Sequence, residues 1–289
     1  MDSALTTVAL PLALGIIMFG LGLSLTPADF RRVASAPKAV AVALTCQLII
    51  LPVVCFGLVK LLDLPPLLAV GMMLLAASPG GTSANLFSHL FRGDVALNVS
   101  LTAINSIISI ISLPLITNLA ISHYDLGDTV SLQFTKVVEV FAIVLVPVTI
   151  GMLVRARAAG FATRMDKPVR IGSAVILAVL VLGVLIDQRE DAAGYLADVG
   201  LAAALFCAIS LVTGYVVPRA AGVREAQAVA SSMEIGVHNA TLAIYVAVEV
   251  LDSTQISIPA AVYSIFMFAF AALWGVVLTR HLAKTAQPA

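Results

Sequence analysis

No Asp, Glu, Lys or Arg occurs between Asp2 and Asp29, between Lys38 and Lys60, between Asp63 and Arg92, between Asp94 and Asp125, or between Asp252 and Arg280. A helix needs roughly 20 apolar residues to cross about 30 Å of hydrocarbon, and each of these runs is long enough to do so. Soluble domains carry about 25% charged residues, whereas this chain has 11%, with 61% hydrophobic residues and a mean hydropathy of +1.07. The runs also lack the ten-residue alternation of an outer-membrane barrel, so the crossings are helices whose backbone groups are satisfied internally. The expected fold is therefore all-α and polytopic, embedded in a lipid bilayer.

Nine spans are expected, at about 5–25, 39–62, 65–91, 95–121, 134–154, 169–187, 198–217, 225–250 and 258–280. The connections between them are too short for a separate soluble domain. Thirteen basic residues then fall on one face: Arg31, Arg32, Lys38, Arg92, Arg155, Arg157, Arg164, Lys167, Arg170, Arg219, Arg224, Arg280 and Lys284. Only Lys60, Lys136 and Arg189 fall near the other. This bias places the amino terminus outside and the carboxyl terminus in the cytoplasm of a cell's inner (plasma) membrane. The opening "MDSALTTVAL" has no basic residue, unlike a secretory signal, and reads as the start of the first span. Cys46, Cys55 and Cys207 lie in apolar segments without metal-like spacing and suggest neither disulfides nor a metal site. A net charge of zero gives no sign of a nucleic-acid partner. Nothing in the residues reports an oligomeric state.

Two spans are flawed as helices. The third is broken at Ser78-Pro79-Gly80-Gly81, and the eighth contains "SSMEIGVHNATLA" at 231–243. Proline and glycine disfavour helix, and polar, interrupted segments in matching places but opposite directions mark an inverted-repeat transporter. Irregular backbone at that depth survives only inside protein or against water, so the two interruptions are expected to cross in the interior. Their amide ends attract an anion, and their carbonyl ends a cation.

With a rise of about 1.5 Å per residue, Glu234 lies roughly 6 Å to the cytoplasmic side of mid-span, Gln47 roughly 4 Å, and Asn85 and Thr102 each roughly 10 Å. A carboxylate at such depth costs about 3 kcal/mol or more and marks an ion or proton pathway. Oxygen-rich neighbours suit a hard cation better than zinc or copper. The bland assignments are interhelical hydrogen bonding for Asn105, Asn118, Ser106, Ser109 and Ser112, and solvated span ends for Glu139, Asp187 and Glu249. His238, one turn from Glu234, is either a structural residue or an ion or proton ligand.

Three segments carry a resemblance to the bile acid:sodium symporter family: "LGIIMFGLGLSLTPADF" at 14–30, "SPGGTSANLFSHLFRGDVALNVSLT" at 78–102 and "EIGVHNATLA" at 234–243. It extends over nearly the whole chain. The resemblance implies a panel of helices, here 5–25, 134–154 and 169–187, facing a core made of 39–121 and 198–280 with two crossing discontinuous helices. It implies uptake of an organic anion with sodium. Bacterial relatives commonly have ten spans, and this chain begins at the equivalent of the second. One sodium site would use Asn85, Thr102 and Glu234, with Ala84 and Asn98 where the family usually has serines. The other would use Gln47, Glu234, the carbonyls of Ile235 and Val237, and His238 in place of the usual glutamine. Thr82 and Asn239 would face the substrate carboxylate. Ala84 lacks a hydroxyl, Asn98 keeps an oxygen, and His238 offers a nitrogen, so two sodium ions, one, or a proton in place of one remain open.

The expected function is a secondary active symporter that imports an organic anion. A proton-coupled or single-sodium carrier and an efflux carrier of the same architecture are the alternatives. A channel would show a repeated pore lining, and here the polar residues cluster in one layer. An intramembrane enzyme could draw on Ser78, Ser83, His89 and His238, but neither GxSxG nor HExxH occurs. The chain is read as not an enzyme.

Overall fold

The computed structural model of the chain describes residues 10–127, 134–187 and 192–285, and apart from one isolated backbone bridge its regular structure there is helical. In chain order the helices are α1 (Leu10–Ser24), α2 (Pro27–Ser35), α3 (Pro37–Thr45), α4 (Leu51–Leu61), α5 (Pro66–Ala77), α6 (Thr82–Leu90) and α7 (Val95–His123). They continue with α8 (Phe134–Arg157), α9 (Ala159–Asp187), α10 (Ala192–Ala220), α11 (Glu225–Gly236), α12 (Ala240–Tyr245) and α13 (Thr254–Thr285). Wider π-type turns continue the helix at Cys46–Ile50, between α3 and α4, and at Val246–Val250, after α12.

Among the described residues, four helical segments are long and apolar enough to cross a membrane by themselves: Pro37–Leu61, Val95–His123, Gly194–Ala220 and Thr254–Arg280. Pro66–Ala77 and Ala240–Val250 are shorter, because each is one half of a span that the sequence reads as a single crossing. The chain is a multi-pass, all-helical membrane protein. On α7, Ile107, Ile111, Leu115 and Leu119 form an exposed stripe at every fourth residue, the signature of a face turned to lipid. Asn98, Thr102, Asn105 and Ser109 form a buried stripe on the same helix.

α1 packs along α8 and α9. Its contact with α8 is backbone to backbone: a Cβ at Gly22 would strike the Val148 carbonyl, and one at Gly151 the Phe19 carbonyl. Small residues allow this approach where no hydrophobic effect drives helices together. Elsewhere α11 lies against α6, α7 and α10, while α13 covers α5 and α10. The start of α11 is tied to its neighbours by polar contacts. Glu225 accepts a hydrogen bond from the Tyr215 hydroxyl and pairs with Arg219 at 2.9 Å, and Trp274 Nε1 donates to Ser232 Oγ at 3.0 Å.

Several features differ from the reading of the sequence. α2 folds inside what looks like a connection, because Thr26 and Asp29 make a local cap: the Thr26 amide and hydroxyl both donate to Asp29 Oδ2, at 2.7 and 2.6 Å. α9 starts at Ala159, ten residues before the apolar run, since "AGFATRMDK" is a good helix former that a hydropathy count cannot see. The turn at Cys46–Ile50 widens so that Leu51 N–H reaches the Cys46 carbonyl, next to Pro52, which has no N–H to give to Leu48. Of the residues read as interhelical polar contacts, Ser106 and Ser109 donate to carbonyls of their own helix, Thr102 and Ser106, and Asn118 is exposed. Short hydroxyls readily back-bond within a helix, and spacing alone does not reveal that. Glu139, exposed, pairs with Lys136 at 3.5 Å, while Asp187 has a side chain outside the described set.

Candidate functional site

The two interrupted spans meet. α5 ends at Ala77 and α6 begins at Thr82; α11 ends at Gly236 and α12 begins at Ala240. Between them Gly80 and His238 form an antiparallel bridge, in which Gly81 N–H donates to the Val237 carbonyl at 2.7 Å and Asn239 N–H to the Pro79 carbonyl at 2.8 Å. The free backbone groups of each break are thus received by the other, which lets non-helical backbone persist in a desolvated interior. At Gly80 a Cβ would collide with the carboxylate of Glu234, so any larger residue has to displace that side chain.

Glu234 sits in the last turn of α11 and has no exposed surface. Its Oε2 accepts a hydrogen bond of 2.5 Å from Thr102 Oγ1, and its Oε1 one of 3.3 Å from Asn105 Nδ2, both from α7. No cation faces it among the described residues, and their ion pairs lie elsewhere. A buried carboxylate without an ion-pair partner is costly, and such residues in membrane helices are candidates for an ion or proton site.

Three buried amides are each anchored through the nitrogen. Gln47 Nε2 donates to the carbonyls of Ala76 and Ser78, at 3.3 and 2.9 Å. Asn98 Nδ2 donates to Ser88 Oγ and the Ala230 carbonyl, both at 2.8 Å. Asn105 Nδ2 donates to the carboxylate. Each nitrogen is anchored by an atom that only accepts, which fixes the oxygen as the other end. Each of those oxygens is buried without a donor, as is Asn85 Oδ1. Buried polar atoms without partners are rare, and amide oxygens are ligands of the kind that hard cations take.

Of the residues singled out in the sequence, Thr102 touches Glu234 directly. Gln47 and His238 converge on one atom, since His238 Nδ1 lies 3.2 Å from the Ser78 carbonyl that Gln47 also uses. A carbonyl only accepts, so Nδ1 carries the proton and Nε2 is a lone acceptor; it too has no partner. The ring is held between Phe206, stacked at 5.6 Å, and Tyr263, edge-on at 5.4 Å. Ile235 and Val237 are fully buried, and the Val237 carbonyl already accepts from Gly81. Ala84 is fully buried and brings no side-chain oxygen. Hydrogen bonds do not link Asn85 or Asn98 to the carboxylate; Asn98 instead binds the Ala230 carbonyl, one turn before Glu234. Asn105, read from the sequence as an interhelical hydrogen-bonding residue, does bridge α7 to α11, and its partner there is the Glu234 carboxylate. The signal was its spacing: positions 98, 102 and 105 share one face of a helix.

Thr82 and Asn239 line a small, partly open recess at the crossing, together with Val237 and His238. Its far wall is Ile17 of α1 and Leu177 of α9, so it opens between that pair and the crossed segments. Asn239, which lines the recess, also caps α12 by accepting from Leu242 N–H at 3.1 Å through its Oδ1.

Residues 11–193 match the profile of the Sodium Bile acid symporter family. The chain belongs to this family. Relatives align well beyond that stretch. The probable sodium/metabolite cotransporter BASS1, chloroplastic, of Arabidopsis thaliana is 30% identical over 258 residues, covering 87% of this chain and 62% of that protein. The uncharacterized sodium-dependent transporter YocS of Bacillus subtilis (strain 168) is 31% identical over 178 residues, 62% of this chain and 54% of its own length. The ileal sodium/bile acid cotransporter of Homo sapiens is 24% identical over 277 residues, 94% of this chain and 79% of that protein. The chain spans less than two thirds of the length of the first two. These relatives are transporters and not enzymes, and the family resemblance drawn from the three sequence segments is borne out.

Proposed function

We propose that this family member is a secondary active transporter that imports an organic anion together with sodium. The observation that carries the reading is the buried Glu234 carboxylate beside amides whose oxygens point away from every donor. A sodium ion would supply the missing positive partner, taking oxygens from Glu234, Thr102, Asn98 and Asn85, with a second ion near Gln47, His238 and the carbonyls of Ile235 and Val237. Because those groups come from α6, α7, α11 and the turn before α4, ion binding would fasten the crossing. Fastening it would set Thr82 and Asn239 at the recess, where an organic carboxylate binds. Two solutes that stabilise one geometry raise each other's affinity. In this scheme α1, α8 and α9 form the panel that moves against the remaining helices, and the recess between them faces each side in turn. The protein would lie in the cell's inner membrane with its amino terminus outside.

Uptake in proteoliposomes tests the reading. Glu234→Gln keeps the shape and removes the charge, so sodium-driven uptake of an organic acid chosen by thermal-shift screening should vanish while the protein stays folded. Undiminished uptake sinks the proposal. A second reading, with one sodium ion or a proton in part of the site, is favoured by Ala84, which offers no side-chain oxygen, and by the unpartnered nitrogen of His238. Sodium activation with a Hill coefficient near 1 selects it, and a clearly larger coefficient selects two ions.

A further inference from the structure

We propose that Asn105 is a cation ligand of the Glu234 centre, and that its amide oxygen helps to set the affinity of that centre for sodium. The inference rests on the sodium-coupled reading above. Asn105 is only 2% exposed, and its Nδ2 points to Glu234 Oε1 at 3.3 Å. Its Oδ1 is buried with no donor. The oxygen and nitrogen of one amide are about 2.3 Å apart, so with the nitrogen at 3.3 Å the free oxygen lies within about 5.6 Å of the carboxylate. Hard cations of this size are held by oxygens at about 2.3–2.6 Å, so one ion bridges oxygens up to about 5 Å apart. The upper limit exceeds that span by only about half an ångström, so a small rotation of the Asn105 side chain brings the amide oxygen and the carboxylate onto a single ion.

The placement also answers a deficit. At Ala84 the centre lacks a side-chain oxygen, and a hard cation takes six or more ligands when it can. On α7 the side chains of Asn98, Thr102 and Asn105 follow one another at helical spacing on the buried face. Thr102 and Asn105 hold the two oxygens of the same carboxylate, and Asn98 anchors to Ala230 one turn away. A helix that only needed to be glued to α11 would gain from Thr102 alone. The second asparagine adds a strongly polar oxygen with no protein partner, which costs free energy unless an ion uses it.

The test is a sodium titration of the thermal stability of the full chain in detergent or nanodiscs, at constant ionic strength with potassium as the replacement. The wild type should gain stability with sodium. Asn105→Ala should need at least tenfold more sodium for half of that gain, over and above the Tm that it loses in potassium alone with the hydrogen bond to Glu234. Asn105→Asp, which puts a second carboxylate in the centre, should need less sodium than the wild type. If both variants keep the wild-type midpoint and merely lose Tm equally in sodium and potassium, Asn105 is structural and the inference is overturned. Should Asn105→Ala not fold, Asn105→Asp decides alone, and an unshifted midpoint overturns the inference. A wild type that gains nothing from sodium removes the sodium reading itself, and this inference with it. That outcome is told apart from failure at Asn105, in which the wild type responds and the variants shift no midpoint.

Discussion

The two breaks at the crossing do the same geometric job with opposite means. The first, residues 78–81, is made of residues that resist helix: Pro79 lacks an N–H, and Gly80 and Gly81 are costly in a helix interior. Its side chains take little part, as Ser78 Oγ only returns to the Leu74 carbonyl. The second, at Val237, His238 and Asn239, contains neither proline nor glycine, with Gly236 closing the helix before it. Local propensity does not forbid helix there. That break is held from outside, by hydrogen bonds to Pro79 and Gly81, and from within by Asn239 capping a new helix. One break thus supplies room, since Gly80 lets Glu234 of α11 come close, and the other brings the side chains of His238 and Asn239 to the crossing.

Glycine substitutions test that division most severely. Gly80→Ala should destabilise the protein by about 3 kcal/mol, the upper part of the range for overpacking, and abolish sodium stabilisation, because the added methyl occupies the carboxylate's place. Gly81→Ala meets the His238 carbonyl at 3.1 Å and that of Val237 at 3.4 Å, so a shift of a few tenths of an ångström relieves it, at about 1 kcal/mol. Thermal unfolding in sodium and in potassium measures both. Equal effects of the two alanines would show that the first break is a spacer with no special tie to Glu234.

A smaller effect is expected from the hydroxyls. Thr102→Val removes the 2.5 Å hydrogen bond to Glu234 at nearly constant shape. Hydrogen bonds to charged groups are worth about 1.5–3 kcal/mol, so the sodium needed for half-maximal uptake should rise by roughly tenfold or more. Ser78→Ala removes only a back-bond within α5, and should change neither stability by more than about 0.5 kcal/mol nor the sodium titration. A strong response at Ser78 would mean that the first break carries side-chain chemistry after all.

This contrast also explains what could be read from the sequence. The first break is visible letter by letter in "SPGG", and the second only through the oddity of a glutamate in a span with no basic partner. Thr102, Gln47 and the meeting of the breaks followed from depth and from family resemblance. Asn105 was legible as a bridge between helices, but not that its partner is Glu234 or that its oxygen is left over, since no motif distinguishes such a bridge. The widened turns at Cys46–Ile50 and Val246–Val250 and the cap of α2 were also illegible, because they arise from which carbonyl a given N–H reaches, a choice made by packing.

Next in size is Asn239→Ala. Loss of a helix N-cap costs about 1 kcal/mol, and the polar side chain that lines the recess goes with it. Half-saturation for the organic anion should rise several-fold while the sodium midpoint, measured without the anion, stays near the wild-type value. If the sodium midpoint moves as far as the anion's, the ion centre and the recess are one site rather than two.

The smallest effect should come from the residue that looks most disruptive. Pro79 contributes its carbonyl, which accepts from Asn239 N–H at 2.8 Å, and any residue has that carbonyl. Replacing it with alanine restores an N–H and permits helix, yet continuing α5 through residue 79 would give up both hydrogen bonds of the crossing and drive Gly80 away from Glu234. At roughly 0.5–1.5 kcal/mol per hydrogen bond, those losses match or exceed what one more helical turn returns. Pro79→Ala should therefore stay broken at the same place, with Tm and sodium midpoint close to wild type. A folded Pro79→Ala protein that no longer responds to sodium would reverse the comparison, because the first break would then be imposed by its own sequence and the second would merely follow it.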